Sequence, residues 1–393
     1  MRARAVALAG LLLLLRAAAA ADDARIAVVG DDGRFGLGNV VLGASSAVVY
    51  AALSERAVRL ARTPLLTRLC AALDADCAFE DADSAVSAGA ARPVFVGKGV
   101  AAKDLPPFDD ATPTLELRFQ LFCDDFWAAP RARPTFARAL ARFGGAASMW
   151  AVHQRALSSL LGAAPPAGAD LAIHVRARPR ATEPEYTVRD ARDAARADAH
   201  PAADARAAAA FEAALPRIVA CLVPFHVAPG ARAVVVGDAA APTRALAAAL
   251  GGGPVADGTA FVVAPPRAGA RAAGVAAAAA AAPTPPPPRA AQHSRDGLGL
   301  NATVADLRAL AQARAVLQLV VSTPPLTHTS TFGLLAAVWA GAEYHEIVLD
   351  LAKGTCDCHK PEMLQPNTTA RWGRFTHCST NFVRRKRRRR RRT

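Results

Sequence analysis

Three times along this chain a short apolar run, rich in β-branched residues, leads into a segment of glycines, hydroxyls or basic side chains that can hold phosphate. The first is 25–30, followed by Phe35-Gly36-Leu37-Gly38-Asn39 and the apolar stretch 40–53. The second is 171–176, ending in His174-Val175-Arg176. The third is 316–321, leading into Thr329-Ser330-Thr331-Phe332-Gly333 and a further apolar run. Strand, loop and buried helix in alternation is the pattern of a parallel α/β sheet, whose ligands bind beyond the carboxyl ends of the strands. Loops of this kind expose backbone N–H groups at glycines and helix starts, and an arginine beside them can grip an anion in two places. Together these can hold a nucleoside diphosphate.

The pattern recurs often enough for two domains. Residues 39–60 read as a helix that is apolar on most faces, with strand candidates at 93–96 and 121–123 and helices at 134–143 and 147–161. An Ala-Pro-Pro-Ala-Gly segment beginning at Ala164 reads as a link. Beyond it, strands are expected at 171–176, 233–238, 261–263 and 316–321, with helices at 205–221, 243–250 and 304–313. The expected organisation is a leader over 1–21, an α/β domain over 22–165 carrying the glycine loop, and a nucleotide-binding α/β domain over 166–355. A cysteine-containing extension over 356–393 completes the chain. The alanine and proline tract 265–291, with Pro285-Pro286-Pro287-Pro288, cannot build a packed core and is expected to be an exposed, removable insertion.

A chain of 393 residues, 52% of them apolar, has ample material for two cores. Its formal charge of +14 falls to +5 without the nine basic residues of 384–392, so the charge excess belongs mostly to a tail. Such a like-charge run reads as a solvated arm, with polyanion binding or a retention signal as the alternatives. Nucleic acid is not an expected partner. At the other end, Arg2 and Arg4 precede eleven apolar residues, 5–15, and a run of alanines. That is a cleaved signal peptide or a short signal anchor, giving a body in the secretory pathway: Golgi lumen, membrane-anchored, or secreted. Two sequons, at Asn301 and Asn367, agree with this.

Seven cysteines in that compartment would mostly pair, with Cys70 and Cys77 as a plausible local bridge. Cys356, Cys358, His359 and Cys378 have the residue types of a zinc site, but their spacing matches no common zinc pattern. No metal is expected. The Asp-x-Asp pairs at Asp74 and Asp76 and at Asp81 and Asp83 lie in polar sequence away from apolar strand ends and read as surface acid.

Each candidate site has a bland and a chemical reading. Gly36-Leu37-Gly38 lacks the lysine of a P-loop and the third glycine of the dinucleotide fingerprint, but it opens a helix, where amides and the helix dipole converge. His174 and Arg176, two apart on a strand, project to one face and can neutralise a departing diphosphate without a metal. Thr327, Thr329, Ser330 and Thr331 can cap the following helix or turn to phosphate oxygens, and Gly333 lets the backbone approach a ligand closely.

These residues carry a resemblance. Gly36-Leu37-Gly38-Asn39 with Leu42, Ala44, Ser45, Tyr50, Ala51 and Leu53 is similar to the opening motif of the plant-type xyloglucan fucosyltransferases. Leu121-Phe122-Cys123-Asp124-Asp125, Ile218 to Cys221, Ser330-Thr331-Phe332-Gly333 with Gly341, and Cys358-His359-Lys360-Pro361 resemble further motifs of that family in the same order. The resemblance implies a GT-B-like fold: two Rossmann-like domains with parallel sheets facing a cleft. It implies inverting, metal-independent transfer of L-fucose from GDP-fucose to a glycan hydroxyl, commonly O2 of galactose, with no cofactor beyond the donor substrate. By position it assigns the diphosphate to Arg176 and the GDP pocket to Ser330, Thr331 and Phe332, while Gly36 to Asn39 close on the donor. Gly38, His174, Asp238, Thr329 and Gly333 complete the expected donor contacts. Asp31, Asp32, Asp124, Asp125 and His153 are the candidate bases, and Arg176, Asp31 and Asp124 the expected catalytic set. Val40 stands where the family has arginine, Gly237-Asp238 replace a Thr-Ser pair, and Tyr344 to Ile347 replace a Pro-Trp turn. The competing function is a lumenal GDP-sugar or glycan binder without catalysis.

Overall fold

The computed structural model describes residues 26–30, 37–73, 79–80, 91–96, 111–119, 149–176, 201–226, 232–237, 240–250, 260–262, 300–321, 330–361 and 375–377. They fall into two compact units, with the change between Ala164 and Pro165.

The first unit opens with β1 (Ile26–Gly30), α1 (Leu37–Leu53) and β2 (Ala57–Ala61), followed by α2 (Pro64–Leu73), β3 (Phe79–Glu80), β4 (Ala91–Val96), β5 (Thr114–Phe119) and α3 (Met149–Leu161). Its five strands run in the order β3-β2-β1-β5-β4, every neighbouring pair parallel. Apolar residues around its whole circumference bury nearly all of α1, which packs against the sheet and α3.

The expected helix over 39–60 is two elements. The chain leaves α1 after Leu53 through Ser54, whose hydroxyl donates to the Tyr50 carbonyl (2.9 Å), and Glu55, which takes a left-handed φ of 56°. It then enters β2 without a glycine or proline between them. Glutamate rarely adopts that conformation, so the stop carried no glycine signal. Arg56 is then anchored by Nη1 donating to the Thr112 carbonyl at 2.7 Å, tying the entrance of β2 to that of β5.

The second unit contains β6 (Ala169–Val175), α4 (Pro201–His226), β7 (Arg232–Gly237), α5 (Ala240–Ala249), β8 (Ala260–Val262), α6 (Leu300–Ala311), β9 (Ala313–Val321), α7 (Phe332–Ala340), β10 (Glu343–Asp350), β11 (Thr355–Pro361) and β12 (Phe375–His377). Its sheet runs β12-β11-β10-β9-β6-β7-β8. The central four strands are parallel, while β8 and the β11–β12 end are antiparallel additions at the two edges. Both sheets thus have the parallel core expected for two Rossmann-like units of a GT-B-like chain.

One face of the second sheet buries Ile173, Val175, Leu317, Leu319 and Ile347 against Phe211, Ile218 and Leu222 of α4 and Leu246 of α5. A disulfide between Cys221 and Cys356 fastens α4 to β11. Cys358 and Cys70 are also in disulfides, so Cys356 and Cys358 cannot serve as zinc thiolates. Among the described residues no His, Cys, Asp and Glu group is suited to a metal. The partner of Cys70 lies outside the described residues, as do Cys77, Asp74, Asp76, Asp81, Asp83, the 265–291 tract, the leader and the basic tail. No helix among the described residues is long and apolar enough to cross a membrane.

Tyr344 to Ile347, read as standing in for a turn, lie inside β10. Gly341, at φ 66°, closes α7 with its N–H donating to the Val338 carbonyl, and the Ala342 N–H donates to that of Ala337. The chain is thereby free to re-enter the sheet beside β9, with Tyr344 opposite Val316 and Glu346 opposite Gln318.

Candidate functional site

The second sheet winds outward in both directions from β6: β7 lies on one side, β9 and then β10 on the other. The carboxyl ends of β6 and β9 therefore flank the switch point, where doubly wound sheets leave a crevice. His174 is the penultimate residue of β6 and stands in register with Gln318 of β9. Both are buried, at 5% and 0% exposure, and the His174 Nδ1 to Gln318 Oε1 distance is 2.6 Å. A carboxamide oxygen only accepts, so Nδ1 carries the proton and donates. The Gln318 amide nitrogen, 3.4 Å from the Leu319 carbonyl, fits that orientation.

The first turn of α7 lies against this pair. The Phe332 ring is 5.5 Å from the His174 ring, tilted at 46°. A Cβ on Gly333 would stand 3.0 Å from Gln318 Oε1 and 3.3 Å from His174 Cβ. An added methyl would press on the protein's own histidine and glutamine, and glycine lets the helix seat closely on them. The close approach at Gly333 is to side chains of β6 and β9. The Ser330 hydroxyl accepts the Phe332 N–H at 3.2 Å, so it caps the helix start, while Thr331 makes no side-chain cap. The first-turn amides remain those of a helix start, with their positive end at the switch point.

Arg176 is the first residue past β6 and is half-buried. His174, Ser330, Phe332 and Gly333 are thus brought together, with Arg176 two residues on and Thr331 in the adjoining turn. Asp238, Thr327 and Thr329 lie outside the described residues. Gly237 ends β7 against β6, where an added Cβ would stand 2.9 Å from the Val175 carbonyl oxygen.

In the first unit, Leu37, Gly38 and Asn39 form the opening of α1, so Gly38 lies within the helix and not in the loop before it. Gly36, Asp31, Asp32, Asp124 and Asp125 lie outside the described residues. His153, a candidate base, is instead part of the core of this unit. It is fully buried on α3, with Nδ1 3.2 Å from the Ser45 hydroxyl oxygen of α1. That hydroxyl sits 2.7 Å from the Leu42 carbonyl, to which it donates, so the imidazole N–H donates to Ser45. Burial pulls its pKa down to about 3. A group enclosed in this way cannot reach an acceptor sugar.

Gln318 was not among the sequence candidates. Its signal was present: a lone amide in the apolar strand Ala315-Val316-Leu317-Gln318-Leu319-Val320, at the level of the histidine on the neighbouring strand. The pairing of β6 with β9, 144 residues apart at this contact, is what a linear reading lacked.

No known protein family matches the sequence, and no curated protein does. Among solved structures, the chain is similar to an arginine-to-lysine mutant of Arabidopsis thaliana FUT1 in complex with GDP, at 14% identity and a TM-score of 0.48. That likeness covers 91% of this chain and 78% of the other.

Proposed function

We propose that this chain is a glycosyltransferase that transfers L-fucose from GDP-fucose to a glycan hydroxyl with inversion and without a metal. The observation that carries the reading is the seating of the α7 start directly on the His174–Gln318 pair at the switch point of the second sheet. A diphosphate there would meet helix amides, an imidazole and the Arg176 guanidinium, the donor set that a departing nucleotide requires. The motifs shared with the plant-type xyloglucan fucosyltransferases supply the sugar and the nucleotide.

In the proposed reaction an acceptor oxygen attacks fucose C1 and the C1–O bond to the diphosphate breaks. GDP leaves with the bonding electrons, and the acceptor proton passes to a carboxylate, with Asp31 and Asp124 as the candidates. Arg176 and the start of α7 offset the charge growing on GDP. Removing one such contact costs about 1.5–3 kcal/mol, and up to ~10³ in rate where the charge develops in the transition state.

Incubation with radiolabelled GDP-fucose and a panel of galactosides tests this. Labelled product and released GDP are expected, with Arg176→Ala slower by well over fivefold; a loss below fivefold removes Arg176 from the chemistry. Saturable GDP binding with no transfer would instead favour a lumenal GDP-sugar binder. One residue favours that second reading: Val40, buried in α1, stands where the resembling family has arginine.

A further inference from the structure

The sequon Asn301-Ala302-Thr303 lies in the first turn of α6, a helix with two unlike faces. Val304, Leu307, Leu310 and Ala311 are buried, on the side that packs against β6, β7, β9 and α7. Ala305, Arg308 and Gln312, the last just past the helix end, are exposed. Those three stand four, seven and eleven positions after Asn301, the spacing of residues that share one face of a helix. The backbone therefore sets Asn301 at the head of the solvent stripe of α6. The place along the helix matters as well as the face. A first-turn N–H has no partner within the helix, so a bulky group joined to this residue disturbs no rung of the hydrogen-bond ladder.

We propose that Asn301 is an N-glycosylation site that α6 carries outward in the folded protein. Modification precedes folding, because the acceptor must be presented as extended chain, and the finished helix then has to tolerate what was attached. A stripe of alanine, arginine and glutamine does so, whereas the Val304 and Leu307 side of the same helix could not. In the reaction the Asn301 carboxamide nitrogen attacks C1 of the first sugar of a lipid-pyrophosphate-linked oligosaccharide. The C1–O bond breaks, the lipid pyrophosphate leaves with the bonding electrons, and the nitrogen gives up one proton. The product is a bulky, solubilising group on the second unit. The proposal is independent of the nucleotide reading and rests on entry of the chain into a secretory lumen.

The test uses the full chain with its own leader, made in a eukaryotic host. An amide-cleaving glycosidase in 18O-water converts a glycan-bearing asparagine to labelled aspartate, which peptide mapping locates. Label at residue 301 is expected in wild type and in Thr303→Ser, on molecules that also carry the Cys221–Cys356 disulfide. It should be absent from Thr303→Ala and Asn301→Gln. A disulfide-bonded wild-type chain with Asn301 unlabelled overturns the site, since the bond reports passage through an oxidising lumen. An unlabelled chain with both thiols free overturns the lumenal reading instead. The same chain is then made behind a cleaved secretory leader, where label at Asn301 upholds the site and a disulfide-bonded, unlabelled product overturns it.

Discussion

Each unit of this chain buries a histidine, and the two have opposite chemical prospects. His153 lies between two helices of the first unit, fully enclosed, its Nδ1 given to a serine that already donates to its own helix. His174 is nearly as buried, but it sits one residue from the end of a central strand, at the switch point, against the start of a helix. Burial alone does not separate a core histidine from a site histidine. Topological position does, because a side chain in mid-helix between packed layers has no route to a ligand, whereas one at a strand's carboxyl end borders the crevice.

Acid titration gives the largest contrast. His153 has a folded pKa of about 3 against 6.5 for the exposed imidazole, so between those values the unfolded chain holds a proton that the folded chain lacks. Its contribution to stability is therefore fully present above pH 6.5. It is lost as pH falls toward 3, by roughly 1.4 kcal/mol per pH unit. Chemical denaturation across pH 7 to 5 should show this slope in wild type and not in His153→Gln; matching slopes would return His153 to a solvated position.

Nucleotide affinity comes next. His174→Ala should weaken GDP binding by about 10- to 100-fold, the range for a contact to a charged group. Calorimetry on His153→Gln should find the affinity unchanged within twofold, and equal losses in the two variants would dissolve the distinction. Gly333→Ala should cost about 1–3 kcal/mol of stability through overpacking against Gln318 and His174. A Gly333→Ala protein as stable as wild type would mean that the α7 start is not seated on the pair. Smallest is Ser45→Ala, expected to cost about 1 kcal/mol of unfolding free energy in denaturant titration, with no change in GDP affinity.

The difference between the histidines was partly legible in the sequence. The place of His174 at a strand end is legible because an apolar run ends beside it, and a third run of the same kind leads to Ser330 and Phe332, which lie against it in the fold. What escaped was information held in pairing. The assignment of His153 as a candidate base came from residue type alone, and only the packing of α3 on α1 shows that it faces inward. Gln318 acquires meaning from a strand far away in sequence. The boundary between α1 and β2 was missed because Glu55 does with a side chain what a glycine ordinarily signals. β10 was missed because a short alternating segment follows directly on a capped helix.

The clasp between α4 and β11 has a consequence for how the second unit is made. Its two sulfurs are 135 residues apart in the chain, so the bond must wait until nearly all of that unit has emerged from the ribosome. Until then the helix that covers one side of the sheet is held by packing alone. A recombinant host with a reducing interior would leave it in that state, so secretion through an oxidising compartment is the sound route to protein for every measurement above.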